Sequence, residues 1–390
     1  MGAHRQGRGS ARGRIRTRAR DQLTAAFRLR VHDTLTGRLL PVRPRLVRGR
    51  PELSLYVCGV TPYDSGHMGH AFTFCAFDVL VRFIEASGVR VRYVQNVTDV
   101  DDPLFERARR DGIDWRRLAD HETEAFLRDM SDLGWRPPDV MPHVSTEIGP
   151  ILSAAERLHA RGIAFPLWQA SAPGEPAWPS RFGDGRPGWH IECSAMAMRY
   201  LGRQIDLHGG GRDLAFSHHE SERAQSESLT GKVPFARAWI HTGLVRYEGR
   251  KMSKSLGNLV LVDQALERAP AAAVRLYLAS HRYRRDWTFE WSGLARMARL
   301  VERVRALLEG EVRGAGAPRP RVVGAGAGPG VRRGAPRPVL PRRFAAALAN
   351  DLDTTAAMLE LRAALRKRDR EAVGSMMAVL AGTASLSRNG

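Results

Sequence analysis

An apolar run from Leu53 to Val60 ends in Cys58-Gly59-Val60 and is followed, after a turn, by a long stretch of helical period. From His67 onward the apolar and buried-type positions are Ala71, Phe74, Phe77, Leu80, Val81 and Ile84, one face of a helix. Val89 to Val97 then alternates as a second strand. A strand, a glycine turn, a helix and a second strand make a βαβ unit, and such a unit requires a parallel sheet. The expected fold class is therefore α/β. In open sheets of this kind ligands sit at the carboxyl edge, where Asn96-Val97-Thr98-Asp99 falls.

The 390-residue chain divides around that unit. Residues 1–50 read as an Arg-rich tail with a short hairpin at 26–41, and 51–262 as the α/β body. Residues 263–309 read as a helical region, with 271–282 and 291–309 helical by period, and 310–341 are a Gly/Ala/Pro/Arg linker of low complexity. Residues 342–390 read as a small, loose helical hairpin, 343–366 with 369–382. Within the body, 103–163 is mostly helical, broken at Pro137-Pro138, and 165–190 is loop-like. Gly209-Gly210-Gly211 is a backbone-exposing turn, and Ser217 is expected to cap a helix from His218 to about Leu229. No internal repeat is evident.

The net charge of +20 suggests nucleic acid until it is located. Residues 1–50 carry +12 and residues 310–343 carry +7, so the body is close to neutral. The charge therefore says little about the body. Three distant cysteines, Cys58, Cys75 and Cys193, suit a reducing cytoplasm better than a disulfide framework. No apolar run reaches the length of a membrane span.

Two groups of residues carry chemistry. Lys251-Met252-Ser253-Lys254-Ser255 offers two flexible ammonium groups that can close over a triphosphate. Far upstream, His67 and His70 open a helix, and a helix N-terminus with imidazoles suits phosphate oxygens. The second group is Cys58, Cys193, His218 and Glu222. These are the ligand types of tetrahedral zinc, with His218 and Glu222 one helical turn apart. Spacing alone is a weak signal, since no Cys-x-x-Cys pair is present.

The lysine pentamer and His67-Met68-Gly69-His70 resemble the two signature motifs of class I aminoacyl-tRNA synthetases. Leu55 to Ala71, Tyr93 to Asp102, Pro187 to Cys193 and Asp206 to Glu222 are similar to the cysteine-activating branch, over about residues 50–310. The resemblance implies a Rossmann-like parallel sheet with helices, followed by a helical C-terminal region. It implies activation of L-cysteine by ATP, with Mg2+ accompanying the nucleotide, and a zinc ion that binds the substrate thiol. Carried over, Cys58, Cys193, His218 and Glu222 hold zinc, and His67, His70, Lys251 and Lys254 serve catalysis. Cys58, Gly59, Thr61, Thr73, Asn96, Thr98, Trp189, Gly211, Asp213 and Val245 line the cysteinyl-adenylate site.

Two members of the branch remain open: the mycothiol cysteine ligase, with a glucosaminyl-inositol amine as acceptor, and cysteinyl-tRNA synthetase. Thr61-Pro62-Tyr63-Asp64, Asp101 to Ala108 and Tyr283 to Trp287 have the ligase form, and the expectation is that no anticodon-binding domain follows residue 382. Glu192 to Met196 and His219 to Glu222 look like the tRNA enzyme, and Glu222 matches a zinc ligand that the mycothiol ligase lacks. A segment that the family inserts between Ala164 and Phe165 is absent. A third reading, of another class, is a non-catalytic nucleic-acid-binding relative with Arg-rich tails. The two histidines and two lysines speak against it.

Overall fold

The computed structural model describes residues 27–63, 66–163, 166–252, 257–310, 339–382 and 384–386. The Arg-rich tail before residue 27, most of the linker, the junction at Ala164-Phe165, and Asp64 and Lys254 among the motif residues lie outside the described residues.

Strands β1 (Leu29–Asp33) and β2 (Arg38–Val42) form an antiparallel hairpin. The central sheet follows. Strand β3 (Arg45–Val47) pairs antiparallel with the start of β4 (Arg50–Val60). Helix α1 (Met68–Ala86) crosses to β5 (Arg90–Val97), parallel to β4. Helices α2 (Asp102–Asp111), α3 (Trp115–Asp132) and α4 (Ile148–His159) come next, then the two-residue strands β6 (Trp168–Gln169) and β7 (Arg186–Pro187). Helix α5 (Trp189–Leu201) leads to β8 (Ile205–Gly211), and α6 (Glu220–Thr230) to β9 (Ala236–Thr242). The parallel strands run in the order β5-β4-β8-β9. The chain leaves β4 toward β5 and later returns to β4's other side with β8. That reversal opens a crevice at the carboxyl ends of β4 and β8, the general ligand position of such sheets.

Strand alternation decides which side chains reach each face. Leu53, Leu55 and Val57 join the core under α1, whereas Tyr56 and Cys58 point into the core under α5. Cys58 therefore lands on the same side of the sheet as Cys193 of α5.

Beyond β9 lie β10 (Val245–Tyr247) and β11 (Arg250–Lys251), an antiparallel hairpin. Helices α7 (Val262–Arg268) and α8 (Ala271–Ala279) follow. Strand β12 (Trp287–Thr288) then pairs parallel with β10, and α9 (Trp291–Glu309) ends this region.

The C-terminal residues form three helices, not the expected two: α10 (Arg342–Ala349), α11 (Thr354–Lys367) and α12 (Arg370–Leu380). The break falls where Asp351 and Leu352 adopt positive φ, +60° and +47°, after which the Asp353 carboxylate caps α11. These helices are not loose. Phe344, Leu348, Leu361 and Val373 are fully buried in the same core as α1. Each such side chain contributes about 1.5–3 kcal/mol of burial. Arg275 of α8, also buried, donates to the Leu380 carbonyl at 3.2 Å and pairs with Asp78 of α1.

One capping expectation fails. Ser217 caps nothing; it sits in an irregular turn, Ala215–His219, and α6 begins only at Glu220. Phe216 inside that turn is extended, which breaks the helical run that the sequence suggested.

Candidate active site

The crevice is a cleft of about 980 Å³. Its walls bring together Cys58, Gly59, Thr61, His67, His70, Thr73, Thr98, Trp189, Cys193, Gly211, Asp213, His218, Val245 and Lys251, residues up to 193 positions apart in the chain. Gly59 is required by close packing: a Cβ there would lie 1.6 Å from the Asn96 carbonyl oxygen.

Asn96 is the exception among the expected lining residues. It is fully buried behind the wall, where its Oδ1 accepts from Gly59 N at 2.9 Å and its Nδ2 donates to Thr98 Oγ1 at 2.9 Å. It holds two wall residues rather than forming the wall. Lys254 lies outside the described residues.

His67 is the N-cap of α1. Its Nδ1 accepts from Gly69 N at 3.0 Å and His70 N at 3.4 Å. The acceptor role leaves Nδ1 unprotonated, so the neutral ring carries its proton on Nε2. The His70 ring stacks on it at 3.9 Å. Burial, and then the neighbouring His67, push the His70 imidazole well below its ordinary pKa, so it stays neutral and donates as a neutral group. Two imidazoles at the positive end of a 19-residue helix make an arrangement that is chemically suited to anions. Lys251 of β11 lines the same cleft, its ammonium 3.2 Å from Asp213 Oδ2.

The second constellation is fully assembled. One ligand atom each from Cys58, Cys193, His218 and Glu222 lies within 4.8 Å of all the others, and all four residues are buried. Glu222 Oε1 is 3.3 Å from Cys58 Sγ and 3.1 Å from His218 Nε2. Two sulfurs, one imidazole and one carboxylate suit a tetrahedral divalent cation. The local electrostatics agree. Glu222 Oε2 is buried without a hydrogen bond, and burial drives this carboxyl well above its ordinary pKa. The Cys58 thiol is pushed up by burial. That of Cys193 is held well down, first by the hydrogen bond from Cys58 and against its own burial.

Several neighbours escaped the sequence reading. His208 and His219 complete a second quartet with Cys58 and Glu222. His190 Nδ1 lies 2.9 Å from His218 Nδ1, and burial lowers the His190 pKa to about 4. A neutral His190 can accept a hydrogen bond from His218 Nδ1–H, which leaves His218 Nε2 free to coordinate. His219 Nδ1 in turn meets His241 Nε2 at 2.7 Å. Trp189 stacks on His218 at 4.2 Å. On the α2 side the cleft is walled by Asp101, Asp102, Glu106, Arg107 and Arg110. For two of them the available signal was positional: His241 lies next to the carboxyl end of β9, and Asp101 follows the end of β5; His208 is in the middle of β8.

Residues 46–166 and 163–299 match the family described as tRNA synthetases class I (C) catalytic domain. The L-cysteine:1D-myo-inositol 2-amino-2-deoxy-alpha-D-glucopyranoside ligase of Thermomonospora curvata is 43% identical over 336 residues, covering 73% of this chain and 80% of that protein. A cysteine--tRNA ligase of Dehalococcoides mccartyi is 38% identical over 322 residues, 71% of this chain and 70% of its own. The structure of Mycobacterium tuberculosis methionyl-tRNA synthetase in complex with methionyl-adenylate superimposes with a TM-score of 0.55 at 16% identity. That alignment covers 84% of this chain and 82% of that one, a likeness of fold alone. The catalytic-domain match spans well over half of the chain, and the two cysteine-ligase relatives agree with the cleft just described. The chain belongs to the class I (C) synthetase family and is an adenylate-forming ligase.

Proposed function

We propose that this enzyme activates L-cysteine with ATP as bound cysteinyl-adenylate and transfers the cysteinyl group to an amine. The favoured acceptor is an amino sugar joined to inositol, the kind named in the 43% identical relative. The observation that carries the reading is the sharing of one cleft by Cys58, Cys193 and His218 with His67, His70 and Lys251.

In the first step the cysteine carboxylate attacks the α-phosphorus and pyrophosphate leaves. No general base is needed, because the nucleophile is already ionised. His67, His70, Lys251 and Lys254 stabilise charge on the phosphate oxygens, and the start of α1 adds backbone donors. Cys58, Cys193, His218 and Glu222 would hold zinc. A bound zinc ion supplies a soft acid that takes a thiolate in preference to a hydroxyl. Thr61, Thr73, Thr98, Trp189, Gly211, Asp213 and Val245 frame the adenylate, with Gly59 and Thr98 fixed by Asn96. Mg2+ accompanies ATP. In the second step the neutral amine attacks the carbonyl carbon, the bond to the AMP oxygen breaks, and the amine loses a proton.

A second reading, transfer to a tRNA 3′ end, is favoured by Glu222 in the donor quartet and by the 38% identical tRNA ligase. Buried free thiols at all three cysteines suit a reducing cytoplasm. No helix among the described residues is long and apolar enough to cross a membrane.

Trapping the adenylate and offering each acceptor in turn tests the proposal. Discharge by the amino sugar with formation of an amide is expected. Discharge by tRNA alone would overturn the amine reading, and absence of cysteine-dependent adenylate would overturn both.

A further inference from the structure

Asp351 sits in the break between α10 and α11, far in sequence from the motifs of the cleft. It is 2% exposed and has a positive φ. Its Oδ1 accepts from His32 N at 2.8 Å and from Tyr283 Oη at 2.7 Å. Its Oδ2 accepts from Arg284 Nε at 2.6 Å. Its own N–H donates to Arg30 O at 2.9 Å. Nearby, Arg282 pairs with Asp353 at 2.8 Å, and Thr354 Oγ1 donates to His281 O at 3.2 Å. One buried carboxylate thus ties β1, the start of α11 and the segment 281–285 together.

That segment leads directly to the lysine hairpin. Gly243 N donates to Tyr283 O at 2.7 Å, and a Cβ on Gly243 would lie 2.2 Å from Arg285 O. Leu244 N donates to Asp286 Oδ1, and Trp287 N and Phe289 N donate to Leu244 O and Arg246 O. Strand β12 then pairs with β10, and Arg246 of β10 is the register partner of Lys251. Leu244, Val245 and Lys251 all line the cleft. Tyr283 and the segment after it are therefore joined by consecutive hydrogen bonds to β10, the strand that pairs with Lys251. Helix residues would not bend into this node; the left-handed turn at Asp351 and Leu352 directs the carboxylate inward, and such conformations persist only when the surroundings enforce them.

We propose that Asp351 is a positioning residue for phosphate chemistry: by clamping Tyr283 and Arg284 it sets the β10–β12 pairing and so the placement of Lys251 in the cleft. The C-terminal helices thereby form part of the catalytic device without touching substrate. This rests on the reading of Lys251 as an ATP group.

The test uses the full chain with Asp351→Asn and, as a milder variant, Tyr283→Phe. Cysteine-dependent ATP–pyrophosphate exchange is measured well below each melting midpoint, with kcat and both KM values determined. The expected result is a fall of about tenfold or more in kcat/KM for ATP with Asp351→Asn and a smaller one with Tyr283→Phe, while KM for cysteine changes less than twofold. Combined with Lys251→Ala, Asp351→Asn should add much less than its single effect, because residues that act through one another are not additive. Unchanged ATP parameters in folded Asp351→Asn, equal losses toward ATP and cysteine, or full additivity with Lys251→Ala would overturn the proposal. If Asp351→Asn does not fold, the same criteria apply to Tyr283→Phe. A wild-type chain without cysteine-dependent exchange would overturn the functional reading itself, and the proposal with it.

Discussion

Lys251 Nζ stands 3.2 Å from Asp213 Oδ2, an ion pair between the lysine hairpin and the turn after the glycine-rich end of β8. Both side chains are about half exposed, 54% and 50%. Exposed pairs of this kind contribute roughly 0–1 kcal/mol. Asp213 can therefore keep Lys251 over the cleft and yield it to a better anion at little cost.

Lys251→Ala should accordingly leave the melting midpoint almost unchanged and still cripple activation. Donors aimed at charge that develops in the transition state are worth about 10²–10³ in rate. Pyrophosphate exchange and calorimetry on the same preparation check this. Exchange within twofold of wild type would remove Lys251 from the mechanism.

The donor quartet makes a prediction independent of turnover. Freshly purified protein should hold about one zinc per chain, and Cys193→Ser should lose it. Glu222→Ala distinguishes two arrangements: metal content that falls marks Glu222 as a ligand, and content that is untouched marks a three-ligand site. The donors must be deprotonated to bind, so retention should decline as pH is lowered through the weakly acid range. Metal analysis after dialysis at graded pH reads all three outcomes.

Asp78 and Arg275 are both fully buried and paired, and Arg275 also donates to the Leu380 carbonyl. Removing Asp78 strands the Arg275 charge, whereas Asp78 without Arg275 still holds Arg82 at 2.9 Å. Asp78→Asn should therefore cost about 3–5 kcal/mol in urea unfolding, and Arg275→Met less. Replacing both with apolar residues of similar volume should cost far less. Equal losses in the single and double variants would show that the pair is not the reason.

The βαβ unit and the carboxyl edge were legible because strand alternation and helical period are local signals. Cys58, Cys193, His218 and Glu222 were legible only with the family resemblance, since what unites them is the pairing of β4 with β8 and the packing of α5 and α6. His208 was hidden for the same reason: it is unremarkable in the middle of β8, and only the packing of β4 and α6 against that strand brings it to Cys58 and Glu222. Asn96 was misread because Gly59 has no side chain, so the backbone comes close enough for Asn96 to bond it from behind. The C-terminal break was missed because Ala349 to Ala357 has no glycine or proline to announce it.

Asp101 gives a pH signature. Burial is the main cause raising its pKa to about 6, from an ordinary value near 3.8. A folded-state pKa above the unfolded one means that the folded protein binds the proton more tightly. The wild type therefore loses stability as pH rises through this window, and the loss is complete above about pH 6. Asp101→Asn keeps the cap on α2 but not the ionisation. Relative to wild type, the variant should gain about 1–1.5 kcal/mol between pH 5 and pH 7.5, the share of the shift that lies above pH 5. Parallel urea titrations at the two pH values measure it, and a constant difference would refute it.

The proposed acceptor can be tested through where charge lies. All but one unit of the +20 falls in residues 1–50 and 310–343. On the α2 side, Arg107 of the cleft wall is bound to Asp111 and Glu122, and Arg110 to Asp111. Asp101 and Glu106 add negative charge to the same wall. Such a wall suits a cationic amine better than a run of phosphates, whose binding needs several cations and weakens steeply with salt. With preformed cysteinyl-adenylate on the full-length enzyme, discharge by a glucosamine-type amine should therefore be nearly independent of salt from 50 to 300 mM. Any tRNA that binds through the Arg-rich segments should be released over the same range without accepting cysteine. Transfer to the tRNA 3′ end that persists in high salt would assign the protein to the tRNA reading, and discharge by neither acceptor would point to a different amine.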